Sequence, residues 1–113
     1  MEVTIEEQKD IAVTVVKVEG EITINTAREL EKTLNRLLNE NNYKLILDLK
    51  EVPYVDSTGL ATFIAQKLKY QEKGGDVKLA NPNKVVGKVL DVTRLDRTFE
   101  VYPSLEQAIE SYK

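Results

Sequence analysis

The sequence has no cysteine and no histidine. Without cysteine, disulfides are impossible and nothing points to an oxidising compartment. Without either residue the usual zinc sites and histidine-based nucleophilic triads are excluded. Only carboxylate, lysine or tyrosine chemistry is left, which moves expectation away from an enzyme and from a bound metal. Long apolar runs are missing too, so nothing spans a bilayer, and the acidic start MEVTIEE carries no signal-peptide pattern. A cytoplasmic location is the expectation. There is no basic block, and 16 basic against 19 acidic residues give a net charge of −3. That sign is wrong for a nucleic-acid groove, so neither direct nucleic-acid binding nor a membrane partner is expected.

What is present is chain enough for one core. The 113 residues fall near the common domain size, and 1–113 reads as a single domain. Val3 to Glu7 and Ile11 to Val18 are rich in Val, Ile and Thr around a polar Gln8-Lys9-Asp10 break, the pattern of an antiparallel hairpin. Gly20 ends the second strand. Thr26-Ala-Arg-Glu29 has the form of a capping box, and Ala27, Leu30, Leu34, Leu37 and Leu38 then share one helical face. Asn41-Asn42 closes that helix.

The stretch from Lys44 to Phe63 organises the rest. Leu45, Ile46, Leu47 and Leu49 have the character of a strand buried on both faces, interrupted near its end by Asp48. A connection with Pro53 leads to Asp56-Ser57-Thr58-Gly59. Leu60, Phe63, Ile64 and Leu68 follow at helical spacing, which puts Ser57 at or beside the first residue of a helix, with Asp56 able to share the capping. That helix runs to about Lys73, with Lys67, Lys69 and Lys73 towards its negative end, and Gly74-Gly75 stops it. Val77 to Ala80 reads as a short strand. Asn81-Pro82 reads as a cap with proline in the first helical position, and Val85, Val86, Val89 and Leu90 as that helix's buried side. Phe99 to Tyr102 is a last strand. Ser104-Leu-Glu-Gln107 opens a closing helix whose inner face is Leu105, Ala108, Ile109 and Tyr112.

The expected order is β-β-α-β-α-β-α-β-α: an α/β fold whose mixed, mostly parallel sheet has about five strands, with about four helices. In such folds, sites form in loops after the C-terminal ends of strands. Ser57 lies in that setting. As a bare helix-start serine it needs no role beyond capping, whereas a phosphate placed on it would face free N–H groups and the positive end of the helix dipole.

Asp56-Ser57-Thr58-Gly59-Leu60, following a hydrophobic strand ending in Asp48, resembles the signature of the STAS domain family, and in particular of the bacterial anti-sigma factor antagonists. Element order and length agree over residues 3 to 112. The resemblance implies a regulatory binding protein that catalyses nothing itself. Its unphosphorylated form would bind an anti-sigma factor that is also a serine kinase, freeing a sigma factor. ATP would belong to that kinase, no cofactor to this chain. Ser57 would be the phosphorylated residue, and a serine phosphatase would reverse the modification. Asp56, Thr58 and Gly59 would join Ser57 in contacting the partner, with Thr23 and Asn25 from the loop after Gly20. Thr23 stands where the antagonists often carry an acid. Thr58 is an alternative acceptor, and Asp48 is expected to order its loop without doing chemistry. Two other readings remain: a STAS scaffold or small-ligand-binding module without the switch, and a phosphate-accepting aspartate protein or small enzyme built on Asp48 and Asp56. The last would need a divalent metal held by further carboxylates, and no adjacent acidic pair or Walker-type glycine loop supplies one.

Overall fold

The computed structural model describes residues 1–113. Strand β1 (Glu2–Gln8) turns Val3 and Ile5 inwards and reverses through a single 3-10 turn at Lys9–Ile11. Ala12 completes the reversal in the left-handed region (φ 54°), so β2 (Val13–Glu19) starts two residues later than the sequence pattern places it. The two strands pair antiparallel from Glu2 opposite Glu19 to Gln8 opposite Val13.

From there strands and helices alternate. Helix α1 (Ala27–Asn39) buries Ala27, Leu30, Leu34 and Leu37, and leads to β3 (Lys44–Glu51), where Leu45 to Leu49 are all buried. Helix α2 (Ser57–Glu72) ends in Gly74 at φ 81°, and β4 (Asp76–Ala80) follows. Then come α3 (Lys84–Val92), a short α4 (Leu95–Thr98), β5 (Val101–Tyr102) and α5 (Leu105–Glu110). The strands lie in sequence order, β1-β2-β3-β4-β5, and every pair after the first is parallel. The expected mixed sheet is present, with α4 as a fifth helix.

Because each crossover moves one strand along, α1, α2 and α3 share one face. They bury Val16, Val18, Leu45, Leu47, Leu49, Val77 and Leu79 beneath Leu30, Leu34, Phe63, Tyr70, Val86 and Leu90. On the other face α5 covers Val13, Val15, Ile46 and Ala80. Tyr112 fixes its end, sharing its hydroxyl between the carbonyls of Leu45 and Asp76. Lys78 reinforces it, donating to the Ser111 carbonyl and hydroxyl with its Nζ 4.0 Å from the Tyr112 ring centre.

Several local expectations are corrected. The Thr26 hydroxyl does not cap α1: it accepts from Thr23 N–H and donates to the Glu21 carbonyl, tying the preceding loop instead. Helix α3 starts at Lys84, not at Pro82. Asn83 is its cap, accepting from Val86 N–H at 2.8 Å. Asn81, at φ 58°, donates its N–H to the Tyr102 carbonyl as the chain leaves β4. Of the expected inner face, Val86 and Leu90 are inside and Val85 is 53% exposed. Ile64 and Leu68 of α2 are also exposed, and its buried side carries Gln66, Lys67 and Tyr70. The Tyr70 hydroxyl donates to the Leu34 carbonyl of α1, and burial pushes its pKa well above the usual phenol value. Lys67 is no solvent-facing complement to the helix dipole: its ammonium lies 2.5 Å from Asp76 and over the Phe99 ring. Phe99 belongs to the exit of α4, packed edge-on against Phe63.

Candidate functional site

The loop between β3 and α2 is strapped to the loop between β2 and α1. Ile22 and Val55 form an isolated parallel bridge, in which Ile22 N–H donates to the Tyr54 carbonyl and Asp56 N–H to the Ile22 carbonyl, both at 3.0 Å. Ile22 and Val55 make this possible: both are buried, so the residues beside them are held at the rim. There is no room for a side chain at Gly59 behind the bridge. A Cβ there would stand 2.7 Å from the Ile22 carbonyl oxygen and from Val55 Cγ1.

Asp56 is the cap of α2. Its Oδ1 accepts from Gly59 N–H and its Oδ2 from Ile24 N–H, both at 2.9 Å. One carboxylate thus joins the start of α2 to the loop of Thr23, Ile24 and Asn25. The Gly59 N–H, above all, holds its carboxyl below the ordinary aspartate range. Desolvation opposes this in part, and the Ile24 and Thr58 N–H groups add to it.

With the cap taken, Ser57 is the first residue of the helix proper. It is exposed, and its hydroxyl has no hydrogen-bond partner in the protein. The N–H groups of Ser57 and Thr58 lie in the first turn and have no intrahelical acceptor. Thr58 is half-buried, and its carbonyl accepts from the Thr62 hydroxyl. Across the strap, Thr23 Oγ1 accepts from Asn25 N–H at 3.3 Å, and Asn25 itself is exposed. The structure therefore brings Thr23, Asn25, Asp56, Ser57 and Thr58 to one rim. It sets Gly59 apart as a buried packing position.

Two residues at this rim escaped the sequence reading. Ile24 is 70% exposed between Thr23 and Asn25, and Tyr54 is 44% exposed beside the bridge. Each is a large apolar side chain in a short connection between buried residues, a pattern visible in the sequence once the connection is recognised as surface.

Asp48 is elsewhere. It is nearly buried within β3 beside Lys17 of β2, and its Oδ1 accepts from Lys50 N–H and from the Asn81 side chain, each at 3.1 Å. It orders the ends of β3 and β4. No group of three or more acidic residues gathers in a way that could hold a metal ion, and no helix is long and apolar enough to cross a membrane.

The arrangement matches a known family. The model of the STAS domain matches residues 2–108. The chain belongs to the STAS domain family. Among similar STAS proteins is the anti-sigma-B factor antagonist of Bacillus subtilis, 30% identical over 95 residues that cover 84% of this chain and 86% of the relative. An anti-sigma factor antagonist from Mycobacterium paratuberculosis has a crystal structure that superposes with a TM-score of 0.86. It is 27% identical, with 98% of this chain and 92% of that one covered. The Bacillus cell fate determinant SpoIIAA, in its phosphorylated form, shares the fold at a TM-score of 0.75 and 16% identity, covering 99% of this STAS chain and all of its own.

Proposed function

We propose that this protein is an anti-sigma factor antagonist switched by phosphorylation of Ser57. The observation that carries the reading is the Ser57 side chain: exposed at the first position of α2 and relieved of capping by Asp56, with its hydroxyl free. The similar proteins named anti-sigma factor antagonists support the partner class. Unphosphorylated, the rim of Thr23, Ile24, Asn25, Asp56, Ser57 and Thr58 docks on an anti-sigma factor that is also a serine kinase, and the sigma factor is released. The kinase supplies ATP. The Ser57 oxygen attacks the γ-phosphorus, the bond to ADP breaks, and the hydroxyl proton passes to a base of the kinase. A serine phosphatase reverses the modification.

Phosphate adds roughly −1.5 to −2 charges and three acceptor oxygens at pH 7. At the start of α2 it meets the free N–H groups of the first turn and the positive end of the dipole, so the fold tolerates it. That a protein of this fold exists in phosphorylated form supports the same expectation. A partner closing over the rim has to desolvate the phosphate beside the ionised Asp56. An uncompensated loss of ~4 kcal/mol weakens binding about a thousandfold. The neutral Thr23 leaves the rim one charge short of the usual pattern, so the cognate kinase reads the loop through polar contacts and Ile24.

The test is intact mass after incubation with ATP and lysate from the protein's own source, wild type beside Ser57→Ala. One added phosphate that vanishes in the variant is the expected result. Phosphate retained in Ser57→Ala, or none at all where a control antagonist is modified, overturns the reading.

A further inference from the structure

Between Ser57 and Leu68, helix α2 turns no charge outwards. Leu60 and Phe63 face the sheet, as a surface helix requires. The exposed residues of the same stretch are Ser57, Ala61, Ile64, Ala65 and Leu68. At about 3.6 residues per turn they fall within roughly 100° of the helix circumference, as one continuous stripe. Leu68, at its far end, is 58% exposed. The neighbouring helices are built differently. Helix α1 turns Arg28, Glu29 and Lys32 outwards, and α3 mixes Val85 and Val92 with Lys84, Lys88 and Asp91. A helix without a polar face is ordinarily covered on both sides, and an apolar patch with a charged border ordinarily marks a protein contact.

The place where the stripe begins selects its occupant. It starts in line with Ser57, and Leu68 stands roughly 16 Å further along the helix at ~1.5 Å per residue. Helical side chains lean towards the N-terminus, so Ala61 and Ile64 reach back towards the rim. Ile24 and Tyr54, the exposed apolar side chains of the two strapped loops, stand at the same end. A protein that closes over Ser57 in a stable complex needs a footprint of about 20–30 residues. The rim of Thr23 to Asn25 and Asp56 to Thr58 is too small to supply it, and the stripe is the apolar surface that adjoins it. For a second copy of this chain, a single helix face alone falls short of the same footprint.

We propose that Ala61, Ile64, Ala65 and Leu68 form the second half of the docking surface, and that the anti-sigma factor bound at the rim lays an apolar face along them. The inference rests on the reading of Ser57 as the switch and adds where the affinity resides. Apolar burial along α2 holds the complex, and the head of the helix admits or expels it.

The test takes each anti-sigma factor kinase of the protein's own source, purified and supplied with ADP. Calorimetry measures its binding to the wild type, Ser57→Asp, Leu68→Glu, Leu68→Ala and Val92→Glu. The wild type should bind one of these kinases and Ser57→Asp should not. Leu68→Glu should melt as the wild type does yet bind about tenfold more weakly or worse. Leu68→Ala, which brings no charge, should lose affinity in the same sense. Val92→Glu, the same kind of change outside the stripe, should bind as the wild type. Binding lost in Ser57→Asp but kept in both Leu68 variants overturns this inference and leaves the switch standing. An equal loss in Val92→Glu overturns it too. So does a wild type that sediments alone as a dimer where Leu68→Glu is a monomer, which assigns the stripe to a second copy. No binding to any of the kinases overturns the inference and the switch together.

Discussion

At the scale of single residues, Asp56 and Gly59 decide how Ser57 is presented. The Asp56 carboxyl titrates below the ordinary aspartate value because its charged form accepts from the Gly59 N–H above all, and from the Ile24 N–H. A carboxyl with a depressed native pKa contributes stability that is present in full above its unfolded value, ~3.9, and is lost as pH falls through the native value. Asp56→Asn should therefore melt below the wild type at pH 7. The gap should close as pH falls below about 4, where the wild type loses its charge as well. Thermal melts across that range check this, and a gap that stays constant would show that the charge contributes nothing. At Gly59, alanine gains ~1 kcal/mol of helix propensity, yet its Cβ would be pressed 2.7 Å from a backbone oxygen. Overpacking of this kind costs ~1–3 kcal/mol, so Gly59→Ala should be net destabilising in urea. A stabilised variant would mean that the two loops do not approach so closely.

The elements were more legible than their edges. Strand β3, helix α1 and the mixed, mostly parallel character of the sheet follow from apolar runs, helical spacing and the alternation of elements alone. Helix α2 was legible in length but not in facing. Leu60 and Phe63 go inside, but Ile64 and Leu68 are outside, and Lys67 takes a buried position because Asp76 at the start of β4 receives its ammonium. Spacing cannot reveal a partner that arrives from another element. The same limit hid the Asn83 cap and the tie made by Thr26, whose side chains choose between nearby backbone groups only once the loops are placed. The position of Ser57 at a helix start was readable; the freedom of its hydroxyl was not, since it depends on Asp56 taking the cap. The Lys67–Asp76 pair gives a test at this scale. Asp76→Ala strands a buried ammonium and should cost ~3–5 kcal/mol, while adding Lys67→Met to it should recover much of the loss. Urea unfolding of the three proteins measures both, and an Asp76→Ala protein as stable as the wild type would show that the pair is not closed in solution.

At the scale of the whole molecule, Ser57 is outside both apolar layers. No core residue has to move to admit a charge at the head of α2, so Ser57→Asp should keep the circular dichroism spectrum of the wild type. Its stability should fall within ~0.5 kcal/mol of the wild type, as for an ordinary surface change. Loss of cooperative melting in this variant would instead tie the phosphate to unfolding. Partner binding and fold stability are then separable quantities.

The strap between Ile22 and Val55 has a further consequence, in time. Three amides, those of Ile22, Ile24 and Asp56, close on one another across two loops, with Gly59 packed behind them. Breaking one loosens the others, so the rim opens as a unit or not at all, as cooperative segments of native proteins do. An incoming protein meets a surface already in its final shape, and little of the encounter is spent ordering loops. The proposed phosphate on Ser57 would then act on a rigid platform, and its effect would belong to how long a complex lasts once formed.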